Sequence, residues 1–209
     1  MPCSTASWSR RRLSVPVTIK PGQPWGAPAT PPPDAVVVRT DREMSRTLEE
    51  ARRRNEPFPL FRVTGGDLLR TLGGASGLAF PMDVGEILVD GRMHHFIAHT
   101  VARRHGWRDF AVAMNVPWLG EWNLGPKAHP NDGVVDAYEG HLGLFEWRQV
   151  RARLGTGSHL PHPRITSTRA RAVTFEFAQD YDVSVDGEPV GAARHLAIRL
   201  VPDAVTVYA

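Results

Sequence analysis

The pattern of apolar and polar positions divides the chain into an early α/β segment and a later β-rich part. "AVVVRT", from Ala35, predicts a short buried strand, and the following "REMSRTLEEARRRN" predicts a helix with a basic last turn. Asp41 stands between them, and its side-chain oxygen is expected to cap the helix. "PLFRVTGGDLLRTLGG" then predicts a strand, a glycine turn and a short helix. Residues 34–79 therefore form a β-α-β-α fragment, which is too short for a doubly wound sheet of its own.

From Phe80 onward the pattern changes to strands separated by turns. "PMDVGEILVDGRMHHFIAHTV" predicts a hairpin around Asp90-Gly91, and "DFAVAMNV" predicts a buried strand. "LGLFEWRQVRARL" predicts a helix that packs on the sheets, with apolar positions at Leu144, Trp147, Val150 and Leu154. Four further strands are predicted in "ITSTRA", "AVTFEFA", "YDVSVDG" and "HLAIRLV", and "AVTVYA" closes the chain. The expected fold class is α+β.

The first 33 residues are expected to form a flexible arm and linker. Residues 1–14 are polar and aperiodic, and residues 20–34 are dense in proline and glycine. A short strand is predicted between them at Val15 to Ile19.

Composition favours a protein of the reducing cytoplasm. The 209 residues carry a formal charge of +3, and lysine occurs only at Lys20 and Lys127, so we expect no nucleic-acid surface. The single cysteine, Cys3, permits no disulfide framework within one chain. No apolar stretch approaches the length of a membrane span, and the arginine cluster at residues 10–12 predicts at most weak peripheral membrane contact.

Two acidic turns are the main candidates for chemistry. Asp186-Gly187-Glu188 lies between two predicted strands, and Asn131-Asp132-Gly133 precedes a short strand that carries Asp136. Asp-Gly is a strong hairpin signal because glycine tolerates positive φ, so each turn can also be explained as an ordinary hairpin. Two turns that carry carboxylates on one β scaffold could nevertheless converge at one rim.

The order of several short motifs resembles a known enzyme family. "NLGPKAHPNDGVVD" (residues 123–136), a helix, "GSH" from Gly157, "VDGE" ending at Glu188 and "VPDAVTV" from Val201 resemble the C-terminal domain of diacylglycerol kinase-like and sphingosine kinase-like lipid kinases. This likeness covers residues 80–209. Upstream, "TGGDLLRTLGG" is similar to the family's "GTGNDLARTLG" segment, with Gly66 in the place of asparagine.

The resemblance implies a β-sandwich of the NAD-kinase-like superfamily and transfer of a phosphoryl group from ATP to a lipid hydroxyl. Such an alcohol needs a carboxylate to accept its proton, and Mg²⁺ spreads the charge of the phosphoryl group. By resemblance, Asp186 is the general base and Glu188 its supporting acid. Asp132 and Asp136 would help to hold Mg²⁺.

The chain departs from the family pattern in its nucleotide-binding part. No "GGDGT" phosphate loop precedes Gly65, and the family's full α/β domain is reduced to residues 34–79. Gly65, Gly66 and Asp67 are the candidate phosphate-binding residues, because backbone amides at a helix start can meet an anion. ATP would otherwise come from a separate nucleotide-binding chain or a homodimer. The alternative is a non-catalytic module that binds a lipid or a phosphorylated metabolite.

The remaining candidates are aromatic, histidine and serine residues. Trp118 and Trp122, with Asn115, could line a groove for a lipid acyl chain, although the indoles could equally be core. His94, His95 and His99 lie on a predicted strand, where an i,i+4 pair is about 13 Å apart, so a zinc site is not favoured. Ser158 lacks the glycine pattern of a hydrolase nucleophile.

Overall fold

The computed structural model describes residues 25–74 and 76–209. The expected arm over residues 1–14 and the strand at Val15 to Ile19 lie outside these residues. Within them the chain forms three helices and thirteen strands. The helices are α1 (Asp41–Arg53), α2 (Gly66–Thr71) and α3 (Leu144–Leu154). The strands are β1 (Ala27–Pro28), β2 (Val36–Val38), β3 (Phe61–Val63), β4 (Leu78–Val89), β5 (Arg92–Phe96), β6 (His99–Arg104), β7 (Asp109–Met114), β8 (Trp118–Leu119), β9 (Trp122–Asn123), β10 (Val135–His141), β11 (Ile165–Ala170), β12 (Ala172–Val185) and β13 (Glu188–Tyr208).

Helix α1 begins at Asp41, one residue earlier than the sequence predicted. Thr40 is the N-cap, and its hydroxyl accepts a hydrogen bond from the Glu43 amide at 3.1 Å. Asp41 is the first helical residue, so the prediction that it caps α1 is wrong. Met44, Leu48 and Ala51 are buried at i, i+4 and i+7, which fixes one face of α1 on the sheet.

The early segment is a parallel β-α-β unit joined to the main sheet. β2 pairs parallel with β3, with Val36 opposite Phe61, and β3 pairs parallel with the end of β13 through Val207 and Tyr208. Both α1 and α2 begin where a parallel strand ends. Ligands of open α/β sheets bind at this edge.

The remaining strands are antiparallel, and all of them except β8 and β9, which pair as a separate two-stranded sheet, form one sheet that folds over on itself. Along the main path the strand order is β1-β4-β13-β12-β6-β7-β10-β11. β4 and β10 are well separated in this order, yet Ile87 of β4 and Val135 of β10 belong to one buried cluster with Phe96 and Leu196. Two layers of the sheet therefore enclose a common core, as in a sandwich. The expected α+β class with an antiparallel β-sandwich is confirmed.

Two pairs of predicted strands are continuous in the structure. β12 contains both "AVTFEFA" and "YDVSVDG", with a register shift between Glu176 and Tyr181. β13 contains both "HLAIRLV" and "AVTVYA", with a shift between Val201 and Val205. A local irregularity interrupts the apolar alternation without ending the strand, and the sequence therefore suggested a break.

The predicted hairpins and the late helix are confirmed, but Leu144, which was predicted to pack on the sheets, is 52% exposed. Asp90 and Asp186 have φ of 43° and 45°, as the tight turns between β4 and β5 and between β12 and β13 require. Helix α3 buries Val150 and Leu154 against the outer face of β6, β7 and β10. No helix of the described residues is long and apolar enough to cross a membrane.

Candidate functional site

A pocket of about 380 Å³ lies where α1 and α2 begin, against the turn between β12 and β13. We call it the Asp67 pocket, and it is lined by Thr40, Asp41, Arg42, Gly66, Asp67, His99, Leu119, Asp186 and Gly187. The parallel strands β2 and β3 place Asp41 and Gly66 at this edge, and the hairpin end of β12 brings Asp186 to it. The pocket thus joins the early segment to the sandwich.

The carboxylate of Asp41 binds two backbone amides in the first turn of helix α2. Its carboxylate accepts hydrogen bonds from the Asp67 amide at 2.7 Å and the Leu68 amide at 3.2 Å. Burial, together with the negative charge of Asp186, raises the pKa of Asp41 to about 7, although the two amides oppose this shift. Of the three residues that the sequence suggested for phosphate, Asp67 therefore already has its amide bound to a carboxylate of the protein.

The glycines of "TGGD" make this close contact possible. A β-carbon on Gly66, where φ is +92°, would lie 2.5 Å from an Asp41 carboxylate oxygen. One on Gly65 would lie 2.3 Å from the backbone oxygen of Arg39. Of the three candidate phosphate-binding residues, Gly66 and Asp67 line the Asp67 pocket.

Asp67 and His99 form a hydrogen-bonded pair inside the pocket. His99 Nε2 lies 3.3 Å from Asp67 Oδ2, and the Gly120 amide donates to the same carboxylate at 3.0 Å. Burial alone would raise the pKa of Asp67, but the bonds from His99 and Gly120 and the charges of His99 and Arg70 lower it. Burial opposes charge on His99, yet the bond to Asp67 and the nearby carboxylates raise the pKa of its imidazole. Asp67 is accordingly ionised at neutral pH.

Asp186, the expected general base, holds a loop in place. Its carboxylate accepts hydrogen bonds from three successive amides, those of Ile97 at 2.7 Å and of Ala98 and His99 at 2.9 Å. Burial raises the pKa of Asp186, while the charge of His99 and these amides oppose the shift. The bonded loop ends β5 and begins β6. The role of Asp186 as proton acceptor stays a prediction.

Glu188, the expected supporting acid, does not line the Asp67 pocket. Its carboxylate is paired with the guanidinium groups of Arg42 and Arg46 of α1. It lines a second groove of about 380 Å³ with Glu49, Arg53 and other residues of α1. Asp186 and Glu188 therefore line different pockets, although Arg42, which lines the Asp67 pocket, pairs with Glu188.

Asn115 connects the two acidic turns. It is fully buried, and its side-chain amide donates to the backbone oxygens of Ile97 at 2.7 Å and Asp83 at 3.1 Å. The Asp83 carboxylate in turn accepts a hydrogen bond from the Gly133 amide at 2.7 Å. Asn115 thus supports the loop held by Asp186 and the turn that contains Asp132. No contact with the Asp67 pocket is seen for Asn115, and its expected role in substrate binding stays a prediction.

Both turns lie at the same end of the sheet, but their acids do not meet. Asp136 is in register with Met114, Met114 with His99, and the Asp186 amide bonds the His99 oxygen. Three interstrand steps therefore separate Asp136 from Asp186, about 14 Å at the usual strand spacing. One cation cannot bridge this distance, because its oxygen ligands lie within about 2.6 Å of the metal.

Asp132 and Asp136 are held by Arg169 of β11. The guanidinium bonds Asp132, and its Nε lies 3.1 Å from Asp136 Oδ2. Burial raises the pKa of both carboxyls, and the positive charge of Arg169 opposes that shift. Within residues 25–74 and 76–209 no group of three or more acidic, histidine or cysteine side chains could hold a metal ion. As arranged, these two acids do not fit Mg²⁺ unless Arg169 moves away.

The two tryptophans suggested for a substrate groove lie in different environments. Trp118 stacks under the guanidinium of Arg70, 3.6 Å from ring centroid to Cζ, beside the Asp67 pocket. Trp122 packs edge-on against Trp107 and Trp147, outside the pocket. Both indoles are half-buried, so neither belongs to the fully buried hydrophobic core. Only Trp118 is placed to flank a ligand in the Asp67 pocket.

The histidines have separate partners rather than a common metal. His94 Nδ1 lies 3.2 Å from Glu49, and His95 is buried against Phe58. His99 faces Asp67 in the pocket. The loop that Asp186 holds separates His95 on β5 from His99 on β6.

The comparisons with known proteins place the chain in a family. The model of the YegS C-terminal NAD kinase beta sandwich-like domain matches residues 80–209, which is more than half of the chain. The chain therefore belongs to this family, and the resemblance read from residues 80–209 is confirmed. None of the curated proteins matches it.

Two solved structures share the fold. Both come from Bacillus anthracis str. Sterne and are described as "a putative diacylglycerol kinase". One is 15% identical, with a TM-score of 0.59 over 84% of this chain and 78% of that chain. The other is 16% identical, with a TM-score of 0.54 over 73% of this chain and 69% of that chain. This likeness shows that the chain shares the fold of these two structures.

The sequence missed three residues of the site. Asp41 follows strand β2, whose parallel neighbour β3 ends at Val63, but the parallel pairing is not visible in the sequence. His99 was considered only as a zinc ligand. Arg169 lies in "ITSTRA", far along the chain from the acids that it pairs with, and it was one arginine among many.

Proposed function

We propose that this protein binds the hydroxyl-bearing head of a diacylglycerol-like lipid in the Asp67 pocket. In this chain alone the pocket serves recognition rather than phosphoryl transfer. The protein acts in the cytoplasm, as the single cysteine suggests. The family membership and the description of the two Bacillus anthracis structures point to a lipid alcohol as the ligand class.

The Asp67 carboxylate is the observation that carries this proposal. It is ionised, it lines the pocket, and each of its oxygens retains acceptor capacity beyond the bonds from Gly120 and His99. The hydroxyl of an alcohol donates a hydrogen bond to such an oxygen without bringing a second negative charge into the pocket. Phosphate oxygens would face Asp41, Asp67 and Asp186 together, so a phosphorylated metabolite is disfavoured.

The dimensions and walls of the pocket suit a glycerol-sized head. Its volume of about 380 Å³ lies within the range of small-molecule sites, which is roughly 300–1,000 Å³. Leu119 provides an apolar wall, and the neighbouring Trp118 is held in position by Arg70. The acyl chains would leave the head along this aromatic side.

Two contacts argue against phosphoryl transfer by this chain alone. Asp41 holds the Asp67 and Leu68 amides, so these amides do not face a nucleotide phosphate. Arg169 holds Asp132 and Asp136, so these acids do not face Mg²⁺. The residues present do not fit ATP or Mg²⁺ in this arrangement.

Calorimetry with a matched pair of ligands tests the proposal. Dioctanoylglycerol should bind to the purified protein, and its acetylated derivative, which lacks the free hydroxyl, should bind at least tenfold more weakly. Asp67→Ala should remove this preference. Asp180→Asn, at an exposed acid of β12 that pairs only with Arg194, should retain it. Equal binding of the two ligands by the wild-type protein would contradict the proposal.

A second candidate function is phosphoryl transfer with a nucleotide-binding partner chain or a second copy. The pairing of Asp67 with His99 favours it, because an ionised carboxylate in the pocket could accept the proton of a lipid hydroxyl. Labelled ATP, Mg²⁺ and dioctanoylglycerol should then give labelled lipid in the presence of cell extract, and Asp67→Asn should abolish the product. No labelled lipid under any condition would leave only the binding function.

A further inference from the structure

We propose that the outer face of helix α3 docks the protein on anionic lipid bilayers. The surface consists of Leu144, Phe145, Trp147, Arg148 and Arg151, and we call it the α3 surface. It lies outside the Asp67 pocket and shares no residue with it.

Two large apolar side chains of the α3 surface are open to solvent. Phe145 is 76% exposed and Leu144 is 52% exposed, in the first turn of α3. Phe145 is the most exposed large apolar side chain of the described residues. Two adjacent exposed apolar side chains at a helix start can enter the acyl boundary of a bilayer without unfolding the helix.

A tryptophan cluster borders these side chains. Trp147 stacks parallel to Trp107, with ring centroids 6.2 Å apart, and packs edge-on against Trp122 at 5.9 Å. All three indoles are half-buried. Indoles are enriched at the depth of lipid headgroups because they combine an apolar body with one N–H donor.

Two of the three arginines of α3 lie on the same side as the exposed Leu144. Leu144, Arg148 and Arg151 stand at i, i+4 and i+7, so they line one face of the helix. Neither arginine has an acidic partner among residues 25–74 and 76–209. The one acid of α3, Glu146, is bound by Arg164 at 2.9 Å and by the Gly143 amide at 2.7 Å. The α3 surface therefore presents uncompensated positive charge, which complements anionic lipid.

The geometry favours a bilayer over two other occupants. The space beneath α3, lined by Trp147, Leu154 and Tyr138 among others, has a volume of only about 10 Å³. It cannot accept an acyl chain, so the exposed side chains are not the mouth of a tunnel. A symmetric pairing of two copies through α3 would bring Arg148 and Arg151 of both copies together, and their like charges repel.

Sedimentation with vesicles tests the proposal. The protein should sediment with vesicles of phosphatidylcholine and phosphatidylserine, and not with phosphatidylcholine alone. Neither lipid carries the free glycerol hydroxyl proposed for the Asp67 pocket, so the result does not depend on that function. Arg148→Glu should weaken binding about fivefold or more, the factor for one cation at an anionic surface. Phe145→Ser should weaken it about tenfold.

Matched variants elsewhere on the molecule control for net charge and exposed apolar area. Arg92→Glu changes the charge equally on β5, and Val37→Ser removes another exposed apolar side chain, 57% exposed, on β2. Both should bind vesicles as the wild-type protein does. Brominated lipid should quench tryptophan fluorescence less in Trp147→Phe than in the wild-type protein.

Two results would overturn the proposal. One is equal sedimentation of wild type, Arg148→Glu and Phe145→Ser with anionic vesicles. The other is an absence of sedimentation by a wild-type protein that self-associates in solution and becomes monomeric with Phe145→Ser, which would identify the α3 surface as an interface between copies. Circular dichroism of each variant verifies that the exposed substitutions leave the fold intact.

Discussion

The carboxylate of Asp41 accepts a hydrogen bond from the backbone amide of Asp67 at 2.7 Å. The contact joins the first residue of α1 to the second residue of α2. The Asp41 carboxylate thereby caps the N-terminus of α2. It also places two acids beside each other at the edge where the parallel strands β2 and β3 end. The chemistry of the Asp67 pocket depends on this arrangement.

Gly66→Ala should destabilise the protein more than Gly74→Ala. Both glycines have positive φ, +92° and +63°, so both substitutions carry a backbone cost of about 1 kcal/mol. Only at Gly66 would the new β-carbon meet Asp41, 2.5 Å from its oxygen, and disturb the cap of α2. The unfolding free energy from urea denaturation should differ between the variants by a further 1 kcal/mol or so. Equal losses of unfolding free energy in the two variants would show that the Asp41 side chain moves away from the new β-carbon without an energetic cost.

The stability of the protein should fall as pH rises from about 4 to about 7. The folded-state pKa of Asp41 is about 7 and the ordinary pKa of an aspartate is 3.8, so over this range the unfolded chain releases a proton that the folded protein retains. The unfolding free energy of Asp41→Asn should decline less over the same pH range than that of the wild type, by on the order of 1–3 kcal/mol. Asp83, whose burial raises its pKa to about 6, gives a residual decline of the same sign in both proteins.

The control for this pH profile is Asp180→Asn, at an exposed carboxylate on β12. Its unfolding free energy should follow the wild-type curve at every pH. A profile of Asp41→Asn parallel to that of the wild type would contradict the raised pKa of Asp41.

Arg169→Ala should make the thermal stability of the protein depend on divalent cations. The loss of the guanidinium leaves Asp132 and Asp136 unpaired, at a cost of about 2 kcal/mol, which is below the value for a fully buried pair because the Arg169 side chain is 46% exposed. Mg²⁺ or Ca²⁺ should then raise the melting temperature of the variant by a few degrees and leave that of the wild type unchanged. Arg194→Ala, which breaks the exposed pair with Asp180, is the control and should not respond.

Asn115→Ala should cost about 2–3 kcal/mol of unfolding free energy, because the backbone oxygens of Asp83 and Ile97 lose their donor in the interior. Gln149→Ala, at an exposed amide of α3, should change stability by less than about 0.5 kcal/mol. Guanidinium denaturation of both variants measures the difference. A small loss for Asn115→Ala would mean that water replaces its amide.

The sequence predicted the elements of this fold better than their ends and their pairings. Period-two patterns and Asp-Gly turns located β4, β5 and β12, because these signals are local. The sequence did not reveal that β12 and β13 are continuous, since register shifts at Glu176 and Val201 disrupt the alternation. It also did not reveal that β3 joins β13 in parallel, a pairing between residues far apart in the chain.

The candidate site was predicted in part for the same reason. Motif order pointed to Asp67 and Asp186, and both line the Asp67 pocket. The contacts of those residues could not be predicted, because Asp41 is brought to Asp67 by parallel pairing and His99 by the loop that Asp186 holds. The pairing of Arg169 with Asp132 and Asp136 likewise depends on the neighbouring positions of β10 and β11.

The end of β13 contacts both parts of the molecule at once. Val207 is in register with Phe80 of β4 on one side and with Phe61 of β3 on the other. Melting of this single strand end would release the β-α-β unit and fray the sandwich in the same step. Heat should therefore unfold both parts together, in one calorimetric transition rather than two.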